Sequence, residues 1–250
     1  DAPFVLSALD CAAHDLWGRL EGAPVHRLWG LDPDDAVESS FTIGIAGVDE
    51  MVAKLAEMPG WPVYKIKLGT THDVEIIQRL RKQTDAMFRI DANCGWAPGE
   101  AAGLSTEMAR QGVEFIEQPL EPAQREAQAG LYRDSALPLI ADENCVGEAD
   151  VPRCVDHFHG INIKLCKCGG LTPARRMIAA ARDHGLKVMV GCMAESSVGI
   201  SAAAQLAPLL DYADLDGAVL LARDAADGVQ LHKGRLTFPD EPGLGIRSLK

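Results

Sequence analysis

A closed parallel α/β barrel is the fold class this sequence predicts, and three observations carry that expectation. Strand-like and helix-like segments alternate along nearly the whole chain, the pattern of a parallel sheet with helices outside it. Eight strand candidates fit into about 175 residues, the scale of a single barrel. No Gly-x-Gly-x-x-Gly follows the first strand, which disfavours a doubly wound dinucleotide-binding sheet.

Taken in order, residues 4–20 place Val5, Leu6, Leu9, Ala12, Ala13, Leu16 and Trp17 at helical spacing, and Gly22 and Pro24 end that helix. The first strand is Ser40 to Ile45, followed by a helix from Asp49 to Met58 with Asp49 placed to cap it. Strand 63–68, helix 73–84, strand 88–91 and helix 98–111 come next. Pro98, a favoured first-turn residue, opens the last of these. Strand 113–117, helix 121–134, strand 137–141 and a shorter helix near 150–156 continue the alternation. Strand 160–165, helix 171–184, strand 186–190, helix 197–209 and strand 212–216 complete it. Residues 227–250 are turn-rich and read as an irregular return segment.

Composition narrows the function classes. The 250 residues are 47% hydrophobic and 24% charged, an ordinary soluble globular profile. A net charge of −12 and a pI near 5.0 argue against nucleic acid or an anionic membrane as partner. No apolar run approaches the eighteen or so residues of a spanning helix, and no charged-then-apolar leader opens the chain. Seven scattered cysteines without a C-x-x-C pair fit reduced thiols and a cytoplasmic setting. Cys166-x-Cys168 is a weak metal hint. The chain opens at Asp1 rather than methionine, as expected of a piece of something longer.

The chemistry starts at Trp61-Pro-Val-Tyr-Lys-Ile-Lys-Leu-Gly69. Period 2 sends Lys65 and Lys67 to one side of a strand and Tyr64, Ile66 and Leu68 to the other. Two like charges on a buried strand need anions or a functional pocket in front of them. Lys67, Asp91, Glu117, Asp142 and Lys164 then close successive strands, at spacings of 24, 26, 25 and 22 residues. One βα unit of a barrel has about that length, so each group falls at the C-terminal mouth where barrel enzymes build their sites. Three carboxylates converging there make a hard, oxygen-rich site suited to Mg²⁺.

Tyr64-Lys-Ile-Lys67, Arg89-Ile-Asp-Ala-Asn93, Phe115-Ile-Glu-Gln-Pro119, Ile140-Ala-Asp-Glu143 and Asn162-Ile-Lys164 together resemble the enolase superfamily, in its muconate-lactonizing subgroup. Ala8 to Ala12 with Asp15 to Gly18 resembles the helix leading into that barrel, and Pro242-Gly-Leu-Gly245 its tail. The resemblance implies a modified TIM barrel, (β/α)7β, with most of the family's N-terminal capping domain absent. It divides the chain into an exit helix and linker (1–38), a catalytic barrel (39–220) and a return segment (221–250). It implies Asp91, Glu117 and Asp142 as Mg²⁺ ligands, Lys67 and Lys164 as acid/base groups on opposite faces of a substrate α-carbon, and Lys65 as an electrostatic assistant.

The physics agrees with that assignment. Removing a proton next to a carboxylate doubles its charge, and a metal ion stabilising the resulting enediolate lowers the barrier by several kcal/mol. The cation and neighbouring ammonium groups would depress one lysine pKa toward working pH, so that it acts as base. Base and acid on opposite faces give a 1,1-proton transfer, meaning racemisation or epimerisation. Lys167 also lies near the sixth strand, but Lys164 shares parity with Asn162 and is preferred. Asp142 is preferred over adjacent Glu143 as ligand.

Asp214-Leu-Asp216 narrows the substrate. Period 2 turns both carboxylates to the barrel mouth, where two acids with no lysine between them suit a substrate ammonium group. The motif resembles the Asp-x-Asp of dipeptide epimerases of the L-Ala-D/L-Glu type, which implies a Mg²⁺-dependent epimerase acting on a dipeptide's C-terminal residue. N-acylamino acid racemase or o-succinylbenzoate synthase activity uses the same lysines and stays open, as does a catalytically silent metal-binding barrel. Gly191 to Ser197 is not a Gly-x-Ser-x-Gly elbow, so a serine hydrolase is rejected. The histidines, including His157 and His159, read as surface or helix residues. Homo-oligomerisation is compatible with these features, and side-chain selectivity is not fixed by them.

Overall fold

The structure, a computed structural model, describes residues 2–249. Eight short strands form one parallel sheet in sequence order: β1 (Phe41–Ile43), β2 (Val63–Lys67), β3 (Met87–Asp91), β4 (Val113–Glu117), β5 (Leu139–Ala141), β6 (Gly160–Ile163), β7 (Lys187–Gly191) and β8 (Tyr212–Asp214). A parallel bridge between Ser39 and Ala213 joins the last strand to the first, with the Ser40 amide donating to the Ala213 carbonyl at 3.1 Å. The barrel is closed.

Ahead of it lie α1 (Pro3–Glu21) and the single turn α2 (Val25–Leu28). The outer helices are α3 (Val48–Glu57), α4 (Asp73–Arg81), α5 (Pro98–Arg110), α6 (Arg125–Asp134), α7 (Val151–Cys154), α8 (Leu165–Cys168), α9 (Leu171–Asp183) and α10 (Ser197–Ala204). Every strand but the eighth is followed by a helix, which is the expected (β/α)7β arrangement. Short strands β9 (Ala226–Asp227), β10 (Gln230–His232), β11 (Arg235–Thr237) and β12 (Ser248–Leu249) form two antiparallel pairs in the return segment, which is more ordered than its turn-rich composition suggests. Among the described residues no helix is long and apolar enough to cross a membrane.

Several boundaries shift for identifiable reasons. Gly47, not Asp49, occupies the N-cap of α3, and Asp49 instead pairs with Arg79 at 2.5 Å. Helix α6 starts at Arg125 because Glu121 precedes Pro122, which disfavours helical backbone there. Helix α10 stops at Ala204, four residues before Pro208, whose ring would meet that carbonyl. A 3-10 turn at Ala207–Leu209 replaces the expected last turn.

Burial on both faces is what makes these strands near-continuous apolar runs. On the outer face of β2, Tyr64 stands edge-on to Phe41 and Phe88 and donates its hydroxyl to the Met58 carbonyl at 2.7 Å. The inner face divides into two ends. Near the N-terminal end, Phe115, Ile140 and Met189 pack with Tyr212, and Arg89 lies over the Phe115 and Tyr212 rings while bonding Glu114 at 2.7 Å. That plug leaves charge to collect at the opposite end.

Helix α1 packs against the barrel through small groups. Gly18 approaches the tail so closely that a Cβ would sit 2.5 Å from Gly243 Cα, and Asp10 caps α9 by accepting from the Thr172 amide at 2.9 Å. Its large apolar side chains, among them Phe4, Leu9 and Leu20, point to the outside.

Candidate active site

Strand register brings the predicted groups together. Lys67 is level with Asp91, Asp91 with Glu117, Thr42 with Lys65 and Gly191 with Asp214. Parallel pairing in this register delivers them to the same rim. A pocket of about 320 Å³ opens there, lined by Lys65, Lys67, Asp142, Lys164, Asp214 and Asp216 together with Lys167 and Glu143. Larger clefts beside Phe238 (about 470 Å³) and beneath α1 (about 540 Å³) contain no lysine and lie away from the strand ends.

Lys65 is the centre of the charge network and is 1% exposed. Its Nζ stands 3.1 Å from Asp91 Oδ2, 2.8 Å from Glu117 Oε2 and 2.9 Å from Asp214 Oδ2. Lys67, further out, donates to Asp91 Oδ2 at 2.6 Å. Across the rim, Lys164 and Lys167 divide Asp142 between them, taking Oδ2 at 2.7 Å and Oδ1 at 2.6 Å. Lys167 does not sit in a loop, as expected from its neighbours Gly169 and Gly170. It rides on α8, whose N-cap is Lys164, and one helical turn brings both ammonium groups to one carboxylate.

Burial opposes the charge on Lys65, but Asp214, Glu117 and Asp91 outweigh it and hold the pKa well above the ordinary lysine value. Lys164 is likewise buried, and Asp142 raises its pKa above the usual range. The sequence expects a lysine pulled down by a bound cation and neighbouring ammonium groups; among the protein's own charges the carboxylates dominate at both Lys65 and Lys164. Burial and the Asp91 charge push Glu117 up to about 7, whereas Lys65 and Lys67 overcome burial to hold Asp91 below the carboxylate range.

The two acids of the Asp-x-Asp motif are not equivalent. Strand β8 ends at Asp214, so Asp216 is carried by the following turn rather than by strand alternation. Asp214 is committed inward: Ser40 Oγ donates to it at 2.7 Å and Lys65 at 2.9 Å, which keep its pKa low despite burial. Asp216 Oδ2 accepts from the Thr42 amide at 2.6 Å, and burial beside Asp214 pushes it up to about 7. Lys65 reaches Asp214 from the inner side, and no lysine pairs with Asp216 among the described residues.

Asn162, Ser40 and Thr42 complete the surroundings and carried no assigned role in the sequence. Asn162 Nδ2 donates to Glu117 Oε1 at 2.7 Å, and a Cβ at Gly191 would come within 2.8 Å of that carboxamide. The short polar side chain and the facing glycine are the signal that could have found them. The histidines lie elsewhere: His26 is buried against Gln205, and His159 Nδ1 accepts from the Leu139 amide.

Among the described residues no three His, Cys, Asp or Glu side chains already stand grouped around a common point. Lysine ammonium groups lie between the carboxylates instead. The donor set still fits a hard divalent cation: six carboxylates (Asp91, Glu117, Asp142, Glu143, Asp214 and Asp216) meet four ammonium groups, and buried Glu117 Oε2 has no partner among the described residues but the Lys65 ammonium at 2.8 Å.

A parallel barrel with lysines and carboxylates interleaved at its C-terminal mouth defines the class of protein. The chain belongs to the Enolase C-terminal domain-like family, which it matches over residues 47–248. It is 55% identical over 244 residues to an L-Ala-D/L-amino acid epimerase of Maribacter sp., covering 97% of this chain and 72% of that protein. It is 51% identical to another of that description from Flavobacterium johnsoniae, covering 98% and 73%. Among solved structures it is similar to a dipeptide epimerase from Enterococcus faecalis complexed with Mg and L-Leu-L-Tyr (TM-score 0.93, 32% identity, 99% of this chain and 74% of that one). A substrate-liganded L-Ala-D/L-Glu epimerase from Bacillus subtilis superposes with a TM-score of 0.92 at 30% identity, covering 98% and 72%.

Proposed function

We propose that this chain is the catalytic barrel of a Mg²⁺-dependent dipeptide epimerase that inverts the α-carbon of the C-terminal residue. The observation that carries the proposal is that Lys67, on β2, and Lys164, just past β6, line one pocket, the first paired with Asp91 and the second with Asp142. The two ammonium groups come from opposite sides of the barrel. One removes the α-proton and the other delivers a proton to the opposite face.

Asp91, Glu117 and Asp142 are the residues that would hold the cation. When bound it would supply positive charge against a substrate carboxylate and draw those three acids away from the lysines. Lys65 stays fixed by Asp214 and keeps the inner wall positive. Asp216, with one oxygen free of the Thr42 amide, receives the substrate ammonium. The similarity to L-Ala-D/L-amino acid epimerases supports L-alanine as first residue and a range of second residues, with the Glu-specific form as one member.

The remaining boundaries are also part of this reading: exit helix and linker 1–38, barrel 39–220, return segment 221–250. The outward apolar face of α1, with Phe4, Leu9 and Leu20, supports a capping domain packed against it. A cytoplasmic setting agrees with the seven free cysteines among the described residues. Incubating the protein with Mg²⁺ and a panel of L-Ala-L-Xaa dipeptides, then resolving diastereomers by chromatography, tests the proposal. Formation of L-Ala-D-Xaa is the expected result, and its absence across the panel in a preparation that includes the capping domain would refute it.

A further inference from the structure

Gln118 follows Glu117 directly and is fully buried, yet its φ is +38°, a left-handed backbone that a non-glycine residue adopts only when its surroundings impose it. The surroundings here are three strand ends. Its backbone amide donates to the Ile140 carbonyl at 2.8 Å and its carbonyl accepts from the Cys94 amide at 2.8 Å, linking the ends of β5 and β3. Its side-chain Oε1 accepts from the Asp142 and Asn144 amides, both at 3.1 Å. Its Nε2 donates to Asn144 Oδ1 at 2.6 Å and to the Leu120 carbonyl at 2.7 Å. Two acceptor positions and two donor positions are all filled, the full capacity of a carboxamide.

We infer that Gln118 is a positioning residue that sets the spacing of Glu117 and Asp142 for cation binding. Glu117 and Asp142 end neighbouring strands, but β4 and β5 pair only as far as Glu117 with Ile140, so no ladder bond holds Asp142 in register. The carboxamide supplies the missing link, gripping the Asp142 amide from the residue adjoining Glu117. The inference rests on the proposed reading of these acids as metal ligands. No apolar or acidic side chain at position 118 could supply two acceptors and two donors at once.

The test is Mn²⁺ titration of the purified protein, followed by electron paramagnetic resonance of the free ion, beside thermal unfolding of the same samples. Gln118→Met is expected to weaken Mn²⁺ binding by about 10- to 100-fold, the usual effect of losing a group that orients ligands. Asn144→Ala, at a half-buried position, removes one partner and is expected to weaken it by about two- to tenfold, and it serves if Gln118→Met does not fold. Gln128→Met provides the structural control: that buried carboxamide donates to the His157 carbonyl at 2.9 Å, and its loss should lower the unfolding midpoint while leaving Mn²⁺ affinity unchanged. Wild-type affinity in both Gln118→Met and Asn144→Ala would overturn the inference alone. Failure of the wild-type protein to bind Mn²⁺ saturably would overturn the metal-ligand reading and the inference with it.

Discussion

Lys65 on β2 and Asp214 at the end of β8 form a buried ion pair at 2.9 Å across the intervening β1, and the same ammonium also holds Asp91 and Glu117. One lysine therefore balances acids from three strands. Removing a single partner from a buried network leaves unpaired charge, which costs about 3–5 kcal/mol. Lys65→Met is predicted to lose stability on that scale in urea denaturation. Adding Asp214→Asn should recover part of the loss, and strict additivity of the two changes would show that they do not share a network.

Asp216 is the carboxylate held by Thr42 with no lysine paired to it, whereas Asp214 is tied to Ser40 and Lys65. Asp216→Asn is predicted to raise KM for dipeptides with a free amino terminus by about 10- to 100-fold, the scale of a lost charged hydrogen bond. N-acylated amino acids carry no ammonium group, and steady-state kinetics with them should show no such change. Equal effects on both substrate classes would remove Asp216 from the ammonium site.

His26 gives a pH signature far from the mouth. Burial lowers its pKa, while its Nδ1 donates to Gln205 Oε1 at 2.8 Å and its Nε2 is buried without a partner. The neutral ring is the folded form, so its contribution to stability is complete above the unfolded value of about 6.5 and declines as pH falls through that value toward the lower folded one. Between pH 8 and pH 5 the wild-type unfolding midpoint should shift downward relative to that of His26→Phe, since Glu117 and Asp216, which titrate in the opposite sense, are common to both proteins. An unchanged slope in the variant would assign the acid sensitivity to other groups.

The barrel and most of the site were legible in the sequence because they depend on strand alternation and a constant βα length. Those two regularities place Lys67, Asp91 and Glu117 at strand ends, and the register confirms that placement. What lay beyond them depended on where strands stop. Strand β8 ends at Asp214, so Asp216 lies beyond the reach of period 2, whereas Lys164 keeps extended backbone past Ile163 and shares the inward side with Asn162, as its parity predicts. Gly169 and Gly170 suggest a loop around Lys167, whereas a four-residue helix turns its ammonium onto Asp142. Partner choice was the least legible feature, since whether Lys65 faces Asp91, Glu117 or Asp214 is decided by packing across the closed barrel.

The central claim is that Lys67 and Lys164 exchange protons with opposite faces of one α-carbon. The direct measurement is ¹H NMR of an L-Ala-L-Xaa dipeptide incubated in D₂O with Mg²⁺ and wild-type, Lys67→Ala or Lys164→Ala protein. The wild type is predicted to replace the α-proton of the second residue with deuterium while the L-Ala-D-Xaa signals grow. Either variant is predicted to slow epimerisation by about 10²- to 10⁴-fold. Wild-type epimerisation rates in both variants would contradict the account.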